Sequence, residues 1–571
     1  GGVDLNLTFT SPLLPDNLDL FSRPANYISF EVRSGDNQPH EVQLYFSAAG
    51  NMAVNTPDQQ VSWKRSHTGN LDLMRVGTER QNILGRKGDD VRIDWGYLYL
   101  GTPDKKGGSS AIASSSASVS AFVSSGTLAI KDDQNKPRSA GERPITLAAC
   151  YDLGEVKSKT EKRHVILAYD QIHSIEYFHK ELNAWWKRKG MTTKEMLTKA
   201  EKNYAKVLRK CDRFDKKLQK QMLAAGGEKY AKICELAYRQ SMAAHKLVEG
   251  PKGNPLFFSK ENFSNGSIAT VDITYPSSPL SLFYNPTLLK GMMIPILYYS
   301  QSGKYAHPYA AHDVGTFPIA NGMTYGEPMP VEESGNMLVL AAAVTRAEGN
   351  ASFAKEYWDV FSKWAHYLKG NGLDPANQLC TDDFAGHLAH NANLSIKAIM
   401  GLASYGYIAN KMGMKDTGRA YIQLARDYAR QWMEMDADGD HYSLTFDKKG
   451  TWSQKYNLVW DKVLDLGIFP RTVADKELKF YLTKQNKYGL PLDSRATYTK
   501  ADWILWTATL ADNDKTFHAL MDPVYKYINE TPTRVPLSDW YQTTDATQVG
   551  FQARSVVGAF FIKALYDKWN K

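Results

Sequence analysis

Leu379-Cys380-Thr381-Asp382-Asp383-Phe384-Ala385-Gly386-His387-Leu388-Ala389-His390-Asn391-Ala392-Asn393-Leu394 joins two stretches of helical periodicity, 351–369 before it and 390–412 after it. A connection that only reverses the chain needs a few polar or glycine residues. This one sets two adjacent carboxylates, two imidazoles and a thiol at the mouth of a helix, so it reads as a place for chemistry. Capping of the next helix by Asp382 or Asp383 is the plain alternative, since aspartate caps well. Further connections of similar character weigh against it.

Working outward, the period is helical from about Thr192 onward, with twelve helix candidates at 193–222, 227–248, 285–300, 331–348, 351–369, 390–412, 415–435, 454–466, 474–486, 498–510, 514–530 and 547–570. The links after the fourth, sixth, eighth and tenth are short. Those after the third, fifth, seventh, ninth and eleventh are long and rich in acids, aromatics and glycine. Successive helices run antiparallel, so twelve of them predict six hairpins closed into an (α/α)6 toroid with every long link at one end. Functional residues collect on such loops when a rigid scaffold presents them. The parity fails at the first pair: either the first helix is a linker, or the long 249–284 segment hides another. Before the helices, Val3–Phe9, Tyr27–Val32, Val42–Ala48, Val91–Leu100 and Ile145–Cys150 are β-rich runs separated by turns, which predicts a β-sandwich. Gly107–Ser118 reads as a flexible low-complexity excursion. The expected organisation is a β-sandwich over 1–180, a linker over 181–192 and the toroid over 193–571.

The 571 residues exceed one ordinary core. A 43% hydrophobic and 23% charged composition is that of a globular protein, and a net charge of +8 spread along the chain is no nucleic-acid signature. The 32 Tyr and 13 Trp suit either flat ligands or a large core. The four cysteines (Cys150, Cys211, Cys234, Cys380) are too scattered for a disulfide framework or a zinc motif, and free buried thiols are expected. No apolar run is long enough to span a membrane, and no signal sequence is seen.

Chemistry gathers in the long links. His312-Asp313 and Glu332-Glu333 belong to the third link and the helix after it. Trp452 and Asp461 belong to the seventh, Asp493, Arg495 and Asp502 to the ninth, and Asp539-Trp540-Tyr541 to the eleventh. Facing carboxylates serve as acid and base when one is kept protonated and the other ionised. The plain readings are macrodipole placement for Glu332 and Glu333 in a first helical turn, and structural ion pairs for Asp461 and Asp502. Asp436, Asp438 and Asp440 have the one-three-five spacing of a calcium loop, but His441 stands where that loop requires glycine, so calcium is a secondary expectation. Metalloprotease, phosphate-loop and serine-hydrolase motifs do not appear.

Phe258-Ser259-Lys260-Glu261-Asn262-Phe263-Ser264-Asn265-Gly266-Ser267, Ala269-Thr270-Val271-Asp272-Ile273-Thr274-Tyr275-Pro276, the long links, and Gly550-Phe551-Gln552-Ala553-Arg554-Ser555-Val556-Val557-Gly558 resemble the glutaminase A family, known from secreted fungal glutaminase and from gut Bacteroides-type bacteria. The resemblance runs along nearly the whole chain, including Ser11–Leu20 in the β region. It implies a β-sandwich followed by a six-hairpin toroid of the glucoamylase type, glutaminase activity, and export to the periplasm or beyond. It also implies a further segment upstream of Gly1, so a truncated or cleaved chain is expected.

By architectural analogy with glucoamylase-type enzymes, Asp383 (or Asp382) is the expected acid and Asp539 the expected base. Glu333 joins them as a catalytic candidate. His312, Asp313, Glu332, Trp452, Asp461, Asp493, Arg495, Trp540 and Tyr541 are the expected substrate contacts, with no metal required. The expected reaction is hydrolysis of the glutamine side-chain amide on a small-molecule substrate, without nucleic acid or membrane. The alternatives are an inverting glycoside hydrolase acting on a glycan, or a non-catalytic glycan-binding protein.

Overall fold

A computed structural model describes residues 1–104, 107–381 and 383–571, with Asp383 described in its backbone only. The chain divides into two compact units, one of 1–176 and 180–215, the other of 177–179 and 216–571.

In the first unit a seven-stranded antiparallel sheet, in the order Val3–Thr10, Ala25–Ser34, Glu161–Asp170, Tyr97–Pro103, Leu71–Thr78, Gln60–Thr68, Arg138–Ser139, faces a three-stranded sheet of His40–Ala49, Ile145–Val156 and Gly108–Ser114. Strand side chains alternate between faces. Ile28, Met74, Leu100 and Val165 therefore point between the sheets to meet Ile112 and Leu147, while Tyr27, Leu73, Tyr99 and Ile166 point the other way. That second face is covered by Met196, Leu197, Ala200, Val207 and Cys211. The helix Thr193–Lys202, opened by a Thr192–Glu195 capping box, thus belongs to the sandwich. By packing, the first unit runs on to Asp215 instead of ending near 180. Gly108–Ser114 is a strand and Ser115–Ser125 a helix, where the serine-rich composition had suggested a loose excursion.

The helix Tyr204–Ala243 breaks at Gly226 and Gly227, the second of which has φ +77°. The second unit takes up this helix from residue 216, and the portion after the break is the first helix of its ring. The next is Val271–Tyr284, the helix hidden in the 249–284 segment. Two features mask it in the sequence. Every residue from Val271 to Phe283 except Asp272 is buried, so no polar face marks its period. Pro276 and Pro279 interrupt it, and each proline removes a backbone donor. The Ser278 hydroxyl donates to the Tyr275 carbonyl at 2.8 Å, replacing the N–H that Pro279 lacks.

With this helix in place the parity holds. Apart from the short Ser352–Glu356, the α-helices after it are Pro286–Gln301, Pro330–Glu348, Trp358–Asn371, Ala392–Lys411, Lys415–Asp436, Val459–Leu464, Arg471–Leu482, Ala501–Thr509, Asp514–Glu530 and Ile562–Asn570. Every odd-numbered connection is long and every even one short. Apart from the last, Ile562–Asn570, the even-numbered helices are buried on nearly all sides, as in Val331–Thr345 and Ala501–Thr509. Each touches the next around a closed circuit, with 456–458 and 555–561 completing it. The odd-numbered helices lie outside and are amphipathic, as in Lys415–Asp436, which buries only Gly418, Ala425, Ala429, Trp432 and Asp436. The aromatic excess fills the ring: Tyr456 stacks on Trp503 at 4.1 Å, and Tyr275, Trp460 and Trp506 pack edge-on and tilted around them. All four cysteines are buried free thiols. No helix among the described residues is long and apolar enough to cross a membrane.

The three acids of the calcium-like loop do not converge. Asp436 is wholly buried at its helix end, while Asp438 and Asp440 flank the turn of a small hairpin, Ala437–Asp438 against His441–Tyr442. Asp438 accepts from the Gly450 N–H and Asp440 pairs with His441. Neither Asp436 carboxyl oxygen has a hydrogen-bond partner, and burial pushes its pKa up to about 8. A carboxyl whose folded pKa lies above its unfolded value stabilises the fold most below the unfolded pKa and loses that contribution as pH rises through the folded one. Asp436→Asn is therefore expected to melt near the wild-type temperature at pH 4 and progressively above it as pH rises to 8, measured by thermal denaturation across that range.

Candidate active site

The inner helices all begin at the end where the long links gather. Their first turns carry Asp272, Glu332 with Glu333, Asp461 and Asp502, favourable positions for acids beside a helix N-terminus. A cavity of ≈ 230 Å³ opens there, smaller than the roughly 300–1,000 Å³ of drug-sized sites. Glu261, Asp272 and His312 form one part of its wall, Lys500, Asp502 and Arg554 another, and Phe384, Trp540 and Phe551 an aromatic third. A larger cleft of ≈ 430 Å³ around Gln240 and Leu537 has no acid in its lining and so lacks acid–base equipment.

Strand pairing sets the cationic part. Tyr498–Lys500 pairs antiparallel with Trp540–Gln542, placing Lys500 opposite Trp540, and Trp540 in turn faces Gly550. A Cβ at Gly550 would come within 2.8 Å of the Trp540 ring, so only glycine lets that ring lie flat there. Phe384, Trp540 and Phe551 meet at centroid distances of 4.9 to 5.9 Å. Arg554 lies 4.0 Å over Phe551, and Lys500 sits 5.0 Å from Phe384.

Behind these cations lies Asp539, with no exposed surface. It accepts from Arg554 Nη2 at 2.6 Å and Nε at 3.2 Å, and it is ion-paired with Lys500. Burial alone would raise its pKa, but Arg554 and Lys500 outweigh that and hold it far below the ordinary carboxylate range. A carboxylate so committed does not accept a proton from water, so Asp539 is the counterion of the cationic wall and not the base that analogy suggested. Asp502 is different. Burial raises its pKa, Lys500 and Arg554 pull it down, Asp539 pushes it up, and the balance is about 6. Its Oδ1 has no hydrogen-bond partner. A buried carboxyl titrating near neutrality is the usual form of a general base.

On the acidic side, His312 Nδ1 lies 2.8 Å from Asp313 Oδ2 and its Nε2 3.7 Å from Asp272 Oδ1. Burial pulls the His312 pKa down, but Asp313 and Asp272 outweigh it and raise it. Burial raises the Glu261 and Asp272 carboxyls as well.

Of the residues expected from sequence, His312 and Trp540 line the cavity. Asp382 lies outside the described residues, as does the Asp383 side chain, although Thr381 and Phe384 on either side of that pair are cavity residues. Asp313 and Glu332 stand directly behind the wall. Asp313 accepts from the N–H groups of Gly315, Thr324 and Tyr325. Glu332 is ion-paired with buried Lys397 and accepts from the cavity residue Thr381 at 3.2 Å. Glu333, also expected as a catalytic group, is wholly buried in the core and does not line this cavity; burial and the neighbouring Asp272 and Glu332 raise its pKa. Five other expected contacts also lie away from it. Trp452 packs on Phe480 and Tyr481. Asp461 accepts from the N–H groups of Ile468 and Phe469. Tyr541 stacks on Tyr527 at 3.5 Å. Asp493 pairs with Arg495, whose Nη1 reaches the Gly386 carbonyl at 2.8 Å and so ties the ninth link to the fifth.

Sequence reasoning passed over Glu261, Asp272, Lys500 and Arg554, and took Asp502 as structural. Glu261, Asp272 and Arg554 stand inside the quoted family motifs, which was the available signal.

Comparison with known proteins agrees with this architecture. A family model described as "Glutaminase A six helical-hairpin domain" matches residues 227–564, and a "Domain of unknown function (DUF5127)" model matches 1–221. Glutaminase A of Aspergillus oryzae is 33% identical over 98% of this chain and 82% of its own length. A probable glutaminase of Arthroderma benhamiae is 26% identical over 99% of this chain and 77% of its own. Among solved structures, a bacterial glucoamylase complexed with acarbose superposes with a TM-score of 0.55 at 9% identity, covering all of this chain and 84% of that one, a likeness of fold alone. With a six-hairpin model over its helical part and a relative of this identity along nearly its whole length, the chain belongs to the glutaminase A family.

Proposed function

We propose that this protein hydrolyses the side-chain amide of glutamine to glutamate and ammonia, with Asp502 as the base that activates water. The observation that carries the proposal is Asp502 itself: buried in the cavity wall, with one free oxygen, a pKa of about 6, and two fixed cations beside it. Kinship with relatives named glutaminase supplies the substrate. Water oxygen adds to the amide carbon as Asp502 takes its proton, and the C–N bond then breaks as the nitrogen gains a proton and leaves as ammonia. Asp383 is assigned the proton donor to that nitrogen on the architectural analogy with glucoamylase-type enzymes. Lys500 and Arg554 supply preorganised positive charge for the developing oxyanion or a substrate carboxylate. The aromatic wall excludes water, which strengthens both effects. A small cavity with charges of both signs suits an amino acid better than a neutral glycan. Export to the periplasm or beyond is part of the same proposal and is read by cell fractionation.

Asp502→Asn is expected to lower kcat/KM for ammonia release from glutamine by about 10²–10⁴-fold with its melting temperature little changed. Full activity in that variant, or Asp502-dependent sugar release from a glycan panel, sinks the proposal. The base works ionised, so wild-type kcat/KM is expected to fall as pH drops through about 6. Asp539→Asn takes the ion pair from buried Lys500 and leaves buried Arg554 only its 3.5 Å contact with Glu261, and is expected to cost about 3–5 kcal/mol of stability, measured by denaturant unfolding. It also removes a charge that raises the Asp502 pKa, so the acid limb of the remaining activity should move to lower pH.

A further inference from the structure

We propose that Glu261, Asp272 and His312 form a binding site for a divalent first-row metal cation, of the Zn²⁺ or Mn²⁺ kind, in the cavity wall. One donor atom from each residue lies within 4.8 Å of the other two. Atoms coordinating a tetrahedral ion through bonds of about 2.1 Å sit about 3.4 Å apart, close to the 3.7 Å between His312 Nε2 and Asp272 Oδ1. Closing the set around an ion therefore needs only small side-chain adjustments.

Two independent features point at a cation. The first is orphaned oxygen: Glu261 Oε2 and Asp272 Oδ1 are buried without a hydrogen-bond partner. Ser264 and Arg554 engage only the other Glu261 oxygen, at 2.8 and 3.5 Å. Glu261 is only 5% exposed, so its free oxygen carries an unrepaid desolvation cost. The second is the imidazole. Asp313 already accepts three backbone N–H groups, so the proton between it and His312 belongs to His312 Nδ1. That leaves Nε2 facing Asp272, while Tyr325 stacks on the ring at 4.1 Å and fixes its plane. A carboxylate behind a histidine, orienting its far nitrogen, is the recurrent second layer of metal sites. One nitrogen and two carboxylate oxygens favour zinc or manganese over calcium, which takes oxygen alone. Three protein ligands leave a position open to the cavity.

The full chain, stripped with a chelator and dialysed, is titrated calorimetrically with Zn²⁺, Mn²⁺ and Ca²⁺ in separate runs, with Mn²⁺ also followed by electron paramagnetic resonance. A single saturable equivalent of Zn²⁺ or Mn²⁺, lost in Glu261→Gln and Asp272→Asn, and weakened about 10–100-fold in Asp313→Asn, supports the site. If Asp272→Asn fails to fold, Glu261→Gln carries the test. Absence of binding overturns the proposal, and so does binding unchanged in Glu261→Gln, which would put the ion elsewhere. A Glu261→Gln variant that raises KM for glutamine while the wild type binds no metal overturns it in favour of a subsite for the substrate ammonium. The titration contains no substrate, so its outcome is independent of whether Asp502 performs amide hydrolysis.

Discussion

A carboxylate with no exposed surface, Asp539, holds two cations at the edge of a cavity, and much of the site follows from it. Lys500 and Arg554 would repel each other in a dry interior. Asp539 between them makes their positive charge a fixed feature of the wall. It acts on the neighbouring Asp502 in both directions. Its own charge raises that carboxyl while the cations it anchors lower it, and the result is a group balanced near neutrality. One buried cluster thus sets both the positive wall and the readiness of the proposed base.

The scaffold determines how strongly such charges act. The even-numbered helices, buried on nearly every side except in the last, begin at the end where the long links gather, so first-turn acids and helix N-termini converge there. Tyr275, Tyr456, Trp460 and Trp506 fill the ring without exposed surface, next to Trp503 in the cavity lining. Lys397 closes this layer, 4.2 Å over the Tyr275 ring and paired with Glu332. In a dry, aromatic floor of this kind charges interact through low dielectric, and the cavity groups depart accordingly from their solution behaviour.

The general plan was legible from residue patterns. Strand alternation announced the sandwich, and the rhythm of long and short links announced the toroid, because both periods report which side of an element meets the core. The exceptions have local causes. Val271–Tyr284 lacks a polar face and contains two prolines, so neither periodicity nor propensity marks it. Missing it broke the link parity and left Glu261 and Asp272 in a segment with no assigned end of the ring. The helix Thr193–Lys202 reads like any other amphipathic helix, and only contact shows that its apolar face covers the sandwich.

By itself the sequence determined the succession of β and α regions, the six-hairpin arrangement and the family kinship, because periodicity and long motifs are written in neighbouring residues. Tertiary structure decided which acids meet the cavity. Asp502 and Asp539 look alike in sequence, each directly before a tryptophan, yet one lines the cavity and the other is bound to two cations. Ionisation depends on burial and on charges a few ångströms away in space, and those partners come from far along the chain, as Arg554 does to Glu261 across 293 positions.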